Sequence, residues 1–279
     1  MIIDGRALSK EVLARVTHDL AVLSFSREGR PKLVDVVVGD NPVTESYVGI
    51  KQRRAIEVGF DFVAERYPES ISQEDLIASI AEIQTDPKLA GLLVQLPLPD
   101  HIDKHAAINA IQARFDVDGL TDENIHLLYE GRPRFTPATA GAIMQLIDHC
   151  VPEGGLHGMN VVVIGSGDLV GKPVAFLLKE RGANVTVVTR ATEHIADRCK
   201  AAALIVCGAG SPKLLTGDMV SDGAIVIDAG TAESEGGISG DVDFATVEPK
   251  AKFITPVPGG VGPMTVAILL KNTLKSVTV

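Results

Sequence analysis

The sequence predicts an α/β protein of two domains, each built on a parallel sheet covered by helices. Three observations lead there. Short Val-, Ile- and Leu-rich runs alternate with segments of helical spacing in two separate series. A polar, glycine-containing stretch at 114–134 lies between the series and reads as a connection. Hydrophobic residues fill 46% of the 279 positions, but aromatics only 4% and Trp none, so the core is aliphatic, which suits strands buried on both faces.

In the first series a helix is expected at 9–27, then a Val-rich buried strand at 32–38 that ends in the turn Gly39-Asp40-Asn41-Pro42. Helical spacing follows at 44–57 and a short strand at 59–66. Pro68 and Ser70 break that strand, and Ser72 with Glu74 and Asp75 suits the first turn of a helix running to about residue 86. A third strand at 91–96 is stopped by Pro97 and Pro99, and a helix is expected near 103–111. This alternation implies parallel units with right-handed crossovers. Past the connection, Thr136-Pro137 opens a helix to about 150, with Thr136 as its cap. Strands are expected at 160–164, 184–188, 204–206 and 224–228, with helices between the first three. The run 254–263 holds too many Pro and Gly residues for the interior of either element, and 264–276 is a final amphipathic helix.

Composition excludes several classes of function. Lys and Arg number 26 against 36 Asp and Glu, a formal charge of -10, which disfavours nucleic acid and anionic membrane. No uncharged apolar run is long enough to span a bilayer. Cys150, Cys199 and Cys207 match no zinc spacing and read as small apolar residues in a reducing compartment. The seven His are scattered, and no metal site is expected. The start Met1-Ile2-Ile3-Asp4-Gly5-Arg6 has no secretory pattern, and a cytoplasmic protein is the expectation.

In the second half, Val161-Val-Val-Ile-Gly165-Ser166-Gly167-Asp-Leu-Val-Gly171-Lys-Pro173 reads as strand, tight loop and helix. Glycines there let the backbone turn sharply and approach a diphosphate, and the helix start offers free N–H groups. The spacing is GxGxxxG, one residue longer than the usual dinucleotide fingerprint, and a turn serving only close packing is the plainer alternative. The next strand ends Val188-Thr189-Arg190, without the acidic residue that usually holds the ribose hydroxyls of NAD. Arg190 can pair with a 2′-phosphate through its planar fork, which favours NADP over NAD; its plainer reading is a solvated surface charge.

In the first half, Tyr47 and Lys51 are four apart on an expected helix and share a face. A lysine in a poorly solvated cleft loses proton affinity and can act as an acid or base near neutral pH. Gln95 lies at the carboxyl end of the third strand, and Asp118 lies in Asp116-Val-Asp118-Gly119 on the connection, where a carboxylate can hold paired N–H groups of a heterocycle. Taken alone, Lys51 also reads as a solvated lysine and Asp118 as a turn residue.

Four blocks, Tyr47-Val-Gly-Ile-Lys51, Gly91-Leu-Leu-Val-Gln95-Leu-Pro97-Leu-Pro99, Asp116-Val-Asp118-Gly119 and Ile254-Thr-Pro-Val-Pro-Gly-Gly-Val-Gly-Pro-Met-Thr265, resemble the methylenetetrahydrofolate dehydrogenase/cyclohydrolase family in order and spacing, over essentially the whole chain. The resemblance implies a folate-binding catalytic domain at 1–135, with the C-terminal helix 263–279 packing back on it, and a Rossmann-like NADP-binding domain at 136–262. It implies oxidation of 5,10-methylenetetrahydrofolate with NADP+ and hydrolysis of the methenyl product to 10-formyltetrahydrofolate. Lys51 matches the family's catalytic lysine, Tyr47 the tyrosine that stacks on the folate, Gln95 the glutamine beside the lysine, and Asp118 the aspartate on the pterin edge. Pro258, Gly259, Gly260 and Val261 match the loop that helps close the folate cleft, and a homodimer is implied. The cofactor half departs from the family. Ser166 and Gly167 stand where Arg or Ala and then Ser are usual, Thr231 replaces an isoleucine that meets the nicotinamide, and after Gly119 only Asn124 of a longer run is kept. An enzyme of the same fold with weakened or NAD-dependent dehydrogenase activity, or a non-catalytic folate or nucleotide binder, remains the alternative.

Overall fold

The computed structural model describes residues 1–23, 29–234 and 237–278. The chain forms two compact units, one of Lys10–Ala138 with Val266–Val279, the other of Met1–Ser9 with Thr139–Thr265. Part of the helix expected at 9–27 lies outside the described residues; what is described is α1, Gly5–Leu23.

The first unit is organised by β1, Lys32–Val38, in which every residue after Lys32 is buried. It lies between β2, Asp61–Tyr67, and β3, Leu89–Val94, in a wholly parallel sheet of order β2-β1-β3. Because side chains alternate across a strand, β1 presents two different faces. Val34, Val36 and Val38 join an aliphatic cluster with Leu76 and Ile80 of α3 (Gln73–Ile83) and Ala107 of α4 (Lys104–Asn109). Leu33, Asp35 and Val37 face the other way. The helix after β1 is α2, Pro42–Val58, and its buried stripe is Thr44, Val48, Lys51, Ala55 and Val58, a spacing that keeps one helical face turned inward. Short polar side chains start the next helices. The Ser72 hydroxyl accepts the Asp75 N–H, and the Asp103 carboxylate accepts those of His105 and Ala106.

The stretch 114–134 is not a bare connection, as its polarity suggested. It holds α5, Asp122–Tyr129, capped by Thr121 and carrying Asp122 and Glu123 in its first turn, where acidic charge suits the helix dipole. Only Asn124 and Leu128 of this helix are buried, so its apolar periodicity is too thin to read. Asn272, on the last helix, donates to the carbonyls of Val117 and Thr136, and the Ser276 hydroxyl donates to that of Ala90.

The second unit carries α6 (Ala138–Cys150) and a five-stranded parallel sheet of order β10-β7-β6-β4-β5. Its strands are β4 (Asn160–Ile164), β5 (Asn184–Val188), β6 (Leu204–Cys207), β7 (Ile225–Asp228) and the two-residue β10 (Phe253–Ile254). Helices α7 (Gly171–Glu180) and α8 (Ile195–Lys200) join the first three. A hairpin of β8 (Ala232–Ser234) and β9 (Gly237–Ser239), then the short α9 (Phe244–Val247), follow β7. The N-terminus joins this unit because Ile3 donates to the Ile254 carbonyl at 2.8 Å and Ile254 to that of Met1 at 3.0 Å. The last helix, α10, runs Val261–Thr278. Pro263 falls in its first turn, where no N–H is needed. No described helix is long and apolar enough to cross a membrane.

Candidate active site and nucleotide loop

Two elements converge on one amine in the first unit. On α2, Tyr47 and Lys51 are one turn apart, and Lys51 lies in the helix's buried stripe, 1% exposed. The backbone N–H of Gln95, just past β3, donates to the Val36 carbonyl at 2.8 Å, so the β-ladder continues one residue beyond the strand. That extension puts the Gln95 side chain on the same face as Asp35. The Lys51 ammonium donates to Gln95 Oε1 at 2.6 Å, lies 2.5 Å from Asp35 Oδ2, and stands 5.2 Å from the centre of the Tyr47 ring, within cation–π range. Gln95 Nε2 in turn donates to the Leu96 carbonyl at 2.5 Å. This fixes which end of the amide faces the lysine.

Asp118 is presented by a turn that Asp116 builds. The buried Asp116 carboxylate accepts the N–H groups of Gly119 at 3.0 Å and Thr121 at 2.7 Å, and the Asn124 side-chain amide at 2.8 Å. Gly119 has φ +74°, and a Cβ there would come within 3.1 Å of the Pro137 backbone, so the turn requires glycine. The Asp118 carboxylate accepts no hydrogen bond from the described residues. Although one edge reaches solvent, burial raises its pKa to about 7, the Asp116 charge adding to the rise and Lys51 opposing it. Burial also pushes the Tyr47 hydroxyl well up, helped by the charges of Asp118 and Asp35. The structure therefore brings half-buried Tyr47, Gln95 and Asp118 around the buried Lys51 in one charge-coupled cluster and adds the buried Asp35, which the sequence reading did not single out.

In the second unit, Gly165 has φ +108°, and a Cβ on it would lie 2.4 Å from the Gly208 carbonyl oxygen. A Cβ on Gly171 would lie 2.2 Å from the Gly165 carbonyl oxygen. These two glycines let strand, loop and helix close on one another. Gly167 is different, because a Cβ there would meet nothing within 4 Å; protein packing does not demand glycine, and the backbone lies open to an approaching group. The start of α7 has no side-chain cap; the Lys172 N–H donates to the Gly167 carbonyl at 3.1 Å and Pro173 brings no N–H, so what the helix start offers an anion is chiefly the positive end of its dipole. The Arg190 guanidinium, beyond the end of β5, donates to the Ser211 hydroxyl at 2.9 Å. Thr231 is exposed, between β7 and β8. Pro258, Gly259, Gly260 and Val261 also belong to this unit; a Cβ on Gly5 would come within 1.9 Å of the Gly260 carbonyl oxygen.

Two buried aspartates that sequence reasoning missed shape the loops around these residues. Asp241 accepts the N–H groups of Ala209, Gly210 and Ser211 at 2.6, 3.0 and 2.7 Å. Asp228 accepts those of Gly230, Asp241 and Val242 at 2.9, 3.0 and 3.0 Å. Burial raises the Asp228 pKa to about 6, against the lowering effect of those three bonds.

Residues 3–118 match the family model described as the catalytic domain of tetrahydrofolate dehydrogenase/cyclohydrolase, and residues 137–279 match the model of its NAD(P)-binding domain. The chain belongs to this enzyme family. It is 46% identical over 277 residues, 99% of the chain and 96% of the relative, to the bifunctional protein FolD of Burkholderia pseudomallei (strain 668). Among solved structures it is similar to the bifunctional FolD dehydrogenase/cyclohydrolase of Campylobacter jejuni, with TM-score 0.94 and 39% identity over 100% of this chain and 98% of that one. It is also similar to the Trypanosoma brucei enzyme solved with NADP cofactor and inhibitor, with TM-score 0.95 and 38% identity over 100% and 97% of the two chains. Family membership fits the arrangement in each unit: a buried acid–base cluster in the part matched as catalytic, and a glycine loop at a helix start in the part matched as NAD(P)-binding.

Proposed function

We propose that the protein oxidises 5,10-methylenetetrahydrofolate to the 5,10-methenyl cation with NADP+ and hydrolyses that cation to 10-formyltetrahydrofolate. The carrying observation is the Lys51 amine, buried, hydrogen-bonded to Gln95 and set beside the Tyr47 ring. In this reading Lys51 takes the proton of the attacking water and returns one during ring opening, and Gln95 holds the amine or the water. The Tyr47 ring stacks on the folate. The Asp118 carboxylate, with its acceptor sites open, takes the paired N–H groups of the pterin edge. Pro258, Gly259, Gly260 and Val261 line the folate. The functional division is 1–135 with 263–279 for folate and 136–262 for nucleotide.

NADP+ supplies the hydride acceptor when bound. Gly165, Ser166, Gly167 and Gly171 with the start of α7 hold its diphosphate, and the Thr231 backbone meets the nicotinamide. The hydrogen-bonded pair Arg190–Ser211 offers guanidinium and hydroxyl donors to a 2′-phosphate, which supports NADP rather than NAD; the NADP complex of the T. brucei relative supports the same reading. The hydride step needs positioning rather than acid–base chemistry. The substrates are small folates in the cytoplasm, and the protein acts as a homodimer.

Ser166, Gly167 and Thr231 favour one second reading, the same fold with intact cyclohydrolase and weakened or NAD-dependent dehydrogenase activity. A spectrophotometric assay with methylenetetrahydrofolate, run with NADP+ and NAD+ in turn and then as methenyl hydrolysis without nucleotide, separates the two. Faster turnover with NADP+ together with hydrolysis is the expected result. Hydrolysis without NADP-linked hydride transfer selects the second reading.

A further inference from the structure

The Val-rich strand β1 carries one charged residue in its interior, Asp35, which is 0% exposed. Its strand neighbours in register are Ala64 and Leu93, neither of which can hydrate a carboxylate. Apart from the Lys51 ammonium, no described residue donates a hydrogen bond to either Asp35 oxygen. The Lys51 ammonium, 2.5 Å from Oδ2, is its ion-pair partner. A carboxylate so placed is costly to bury, and a valine there would complete the strand's apolar face. Nothing in the packing of β1 calls for an acid. What the acid does touch is the amine on which the proposed hydrolysis turns.

We propose that Asp35 is the positioning residue of Lys51: it draws the ammonium inward onto Gln95 and takes up the lysine's proton when the amine acts as base. The inference rests on the function proposed above. In the step, one Nζ–H bond breaks, its electron pair stays on nitrogen as a lone pair, and the proton goes to Asp35 Oδ2. The pair passes from ammonium and carboxylate to amine and carboxylic acid without changing its net charge. The amine lone pair then takes a proton from water as the water oxygen bonds to the methenyl carbon, and the C=N electron pair moves to the ring nitrogen. A carboxylate suits this part because burial pushes Asp35 upward in proton affinity, while Lys51 pulls it down. The other groups that act on this site are Arg66 and Glu45, which bear on Asp35 at longer range, and Tyr47 and Asp118, whose own ionisation its charge opposes.

Asp35→Asn keeps the shape of the side chain but can neither carry the charge nor store the proton. The expected result is a fall of about tenfold or more in kcat for methenyl hydrolysis, with KM for the folate and the dehydrogenase rate each moving less than about threefold. Removing the carboxylate also removes the charge that favours the ammonium, so the pH profile of the residual hydrolysis shifts downward by about one unit or more. Unchanged hydrolysis with an unchanged pH profile overturns the proposal. So does a parallel loss of both activities and of folate binding, which marks a purely structural role. Asp35→Val, which also leaves the buried Lys51 ammonium without its partner, is the second variant: once shown to be folded by circular dichroism, it is expected to hydrolyse as poorly as Asp35→Asn, and native-like hydrolysis by it overturns the proposal. A readout independent of catalysis is the Nζ signal of Lys51 in 15N-lysine-labelled protein, assigned by its loss in Lys51→Gln. Its titration midpoint is expected to move by about one pH unit or more between native and Asp35→Asn protein, and coincident midpoints overturn the proposal. If the native enzyme shows no hydrolysis, the proposed function fails, and the Nζ titration still decides whether Asp35 governs Lys51.

Discussion

The Asp118 carboxylate is desolvated at a cost to the fold, and Asp118→Asn exposes that cost. In the folded unit its pKa is raised from 3.8 to about 7, chiefly by burial, whereas the unfolded chain ionises near its ordinary value. Between those pH values the folded state binds the extra proton, so stability falls as pH rises from about 4 to about 7 and stays lower above it. A rise of about 3 units corresponds to about 4 kcal/mol; screening at the solvent-facing edge reduces this to about 2–3 kcal/mol. Asparagine has nothing to ionise. The variant should therefore be more stable than the native protein by about 2–3 kcal/mol at pH 8, and the difference should shrink toward zero near pH 4. The chain has no Trp, so urea unfolding followed by far-UV circular dichroism is the suitable assay. The same variant should bind folate at least about a hundredfold more weakly, the scale of losing charge-assisted bonds to two N–H groups. A stability difference that is constant with pH, or a variant less stable at pH 8, would refute the reasoning.

Three further outcomes are expected. Arg190→Ala should raise the KM for NADP far more than that for NAD in steady-state kinetics; an equal change in both would remove Arg190 from phosphate recognition. Gly171→Ala places a methyl group 2.2 Å from the Gly165 carbonyl oxygen and should cost about 2–4 kcal/mol in thermal or urea unfolding, with loss of nucleotide binding. Asn124→Ala takes a donor from the buried Asp116 carboxylate and from the Ala113 carbonyl. It should lower stability by about 2–3 kcal/mol and weaken folate binding through the Asp118 turn, measurable as a raised KM with little change in nucleotide KM.

The two-sheet architecture was legible because a parallel strand covered on both faces must be apolar along its whole length. The runs at 32–38 and 160–164 needed no distant information, and β1 and β4 lie there; the run at 184–188 forms β5, an edge strand in which only Val188 is buried. What escaped was structure whose reason lies elsewhere in the chain. β10 is two residues long and exists as a strand through its pairing with β7, and the first residues are fixed by that same short strand. The helix α5 turns only Asn124 and Leu128 inward and so shows little apolar period.

The site divides along the same line, and Lys51 and Asp35 show where it falls. Taken as a lone charge, Lys51 reads as a solvated lysine. Taken with Thr44, Val48, Ala55 and Val58, it occupies the inward stripe of α2, so its burial was written in helical spacing. Asp35 gave an equally local signal: an acid in the middle of a run that must be buried on both faces conflicts with the strand around it. Such a conflict between local pattern and fold marks a place where chemistry outweighs packing. Asp241 gave no comparable signal. The three N–H groups that it accepts begin about thirty residues earlier in the chain, and only the folded sheet brings donor and acceptor together. Local rules thus identify residues that violate them, as Asp35 does. They stay silent on residues such as Asp241 that satisfy backbone groups about thirty residues away in the chain.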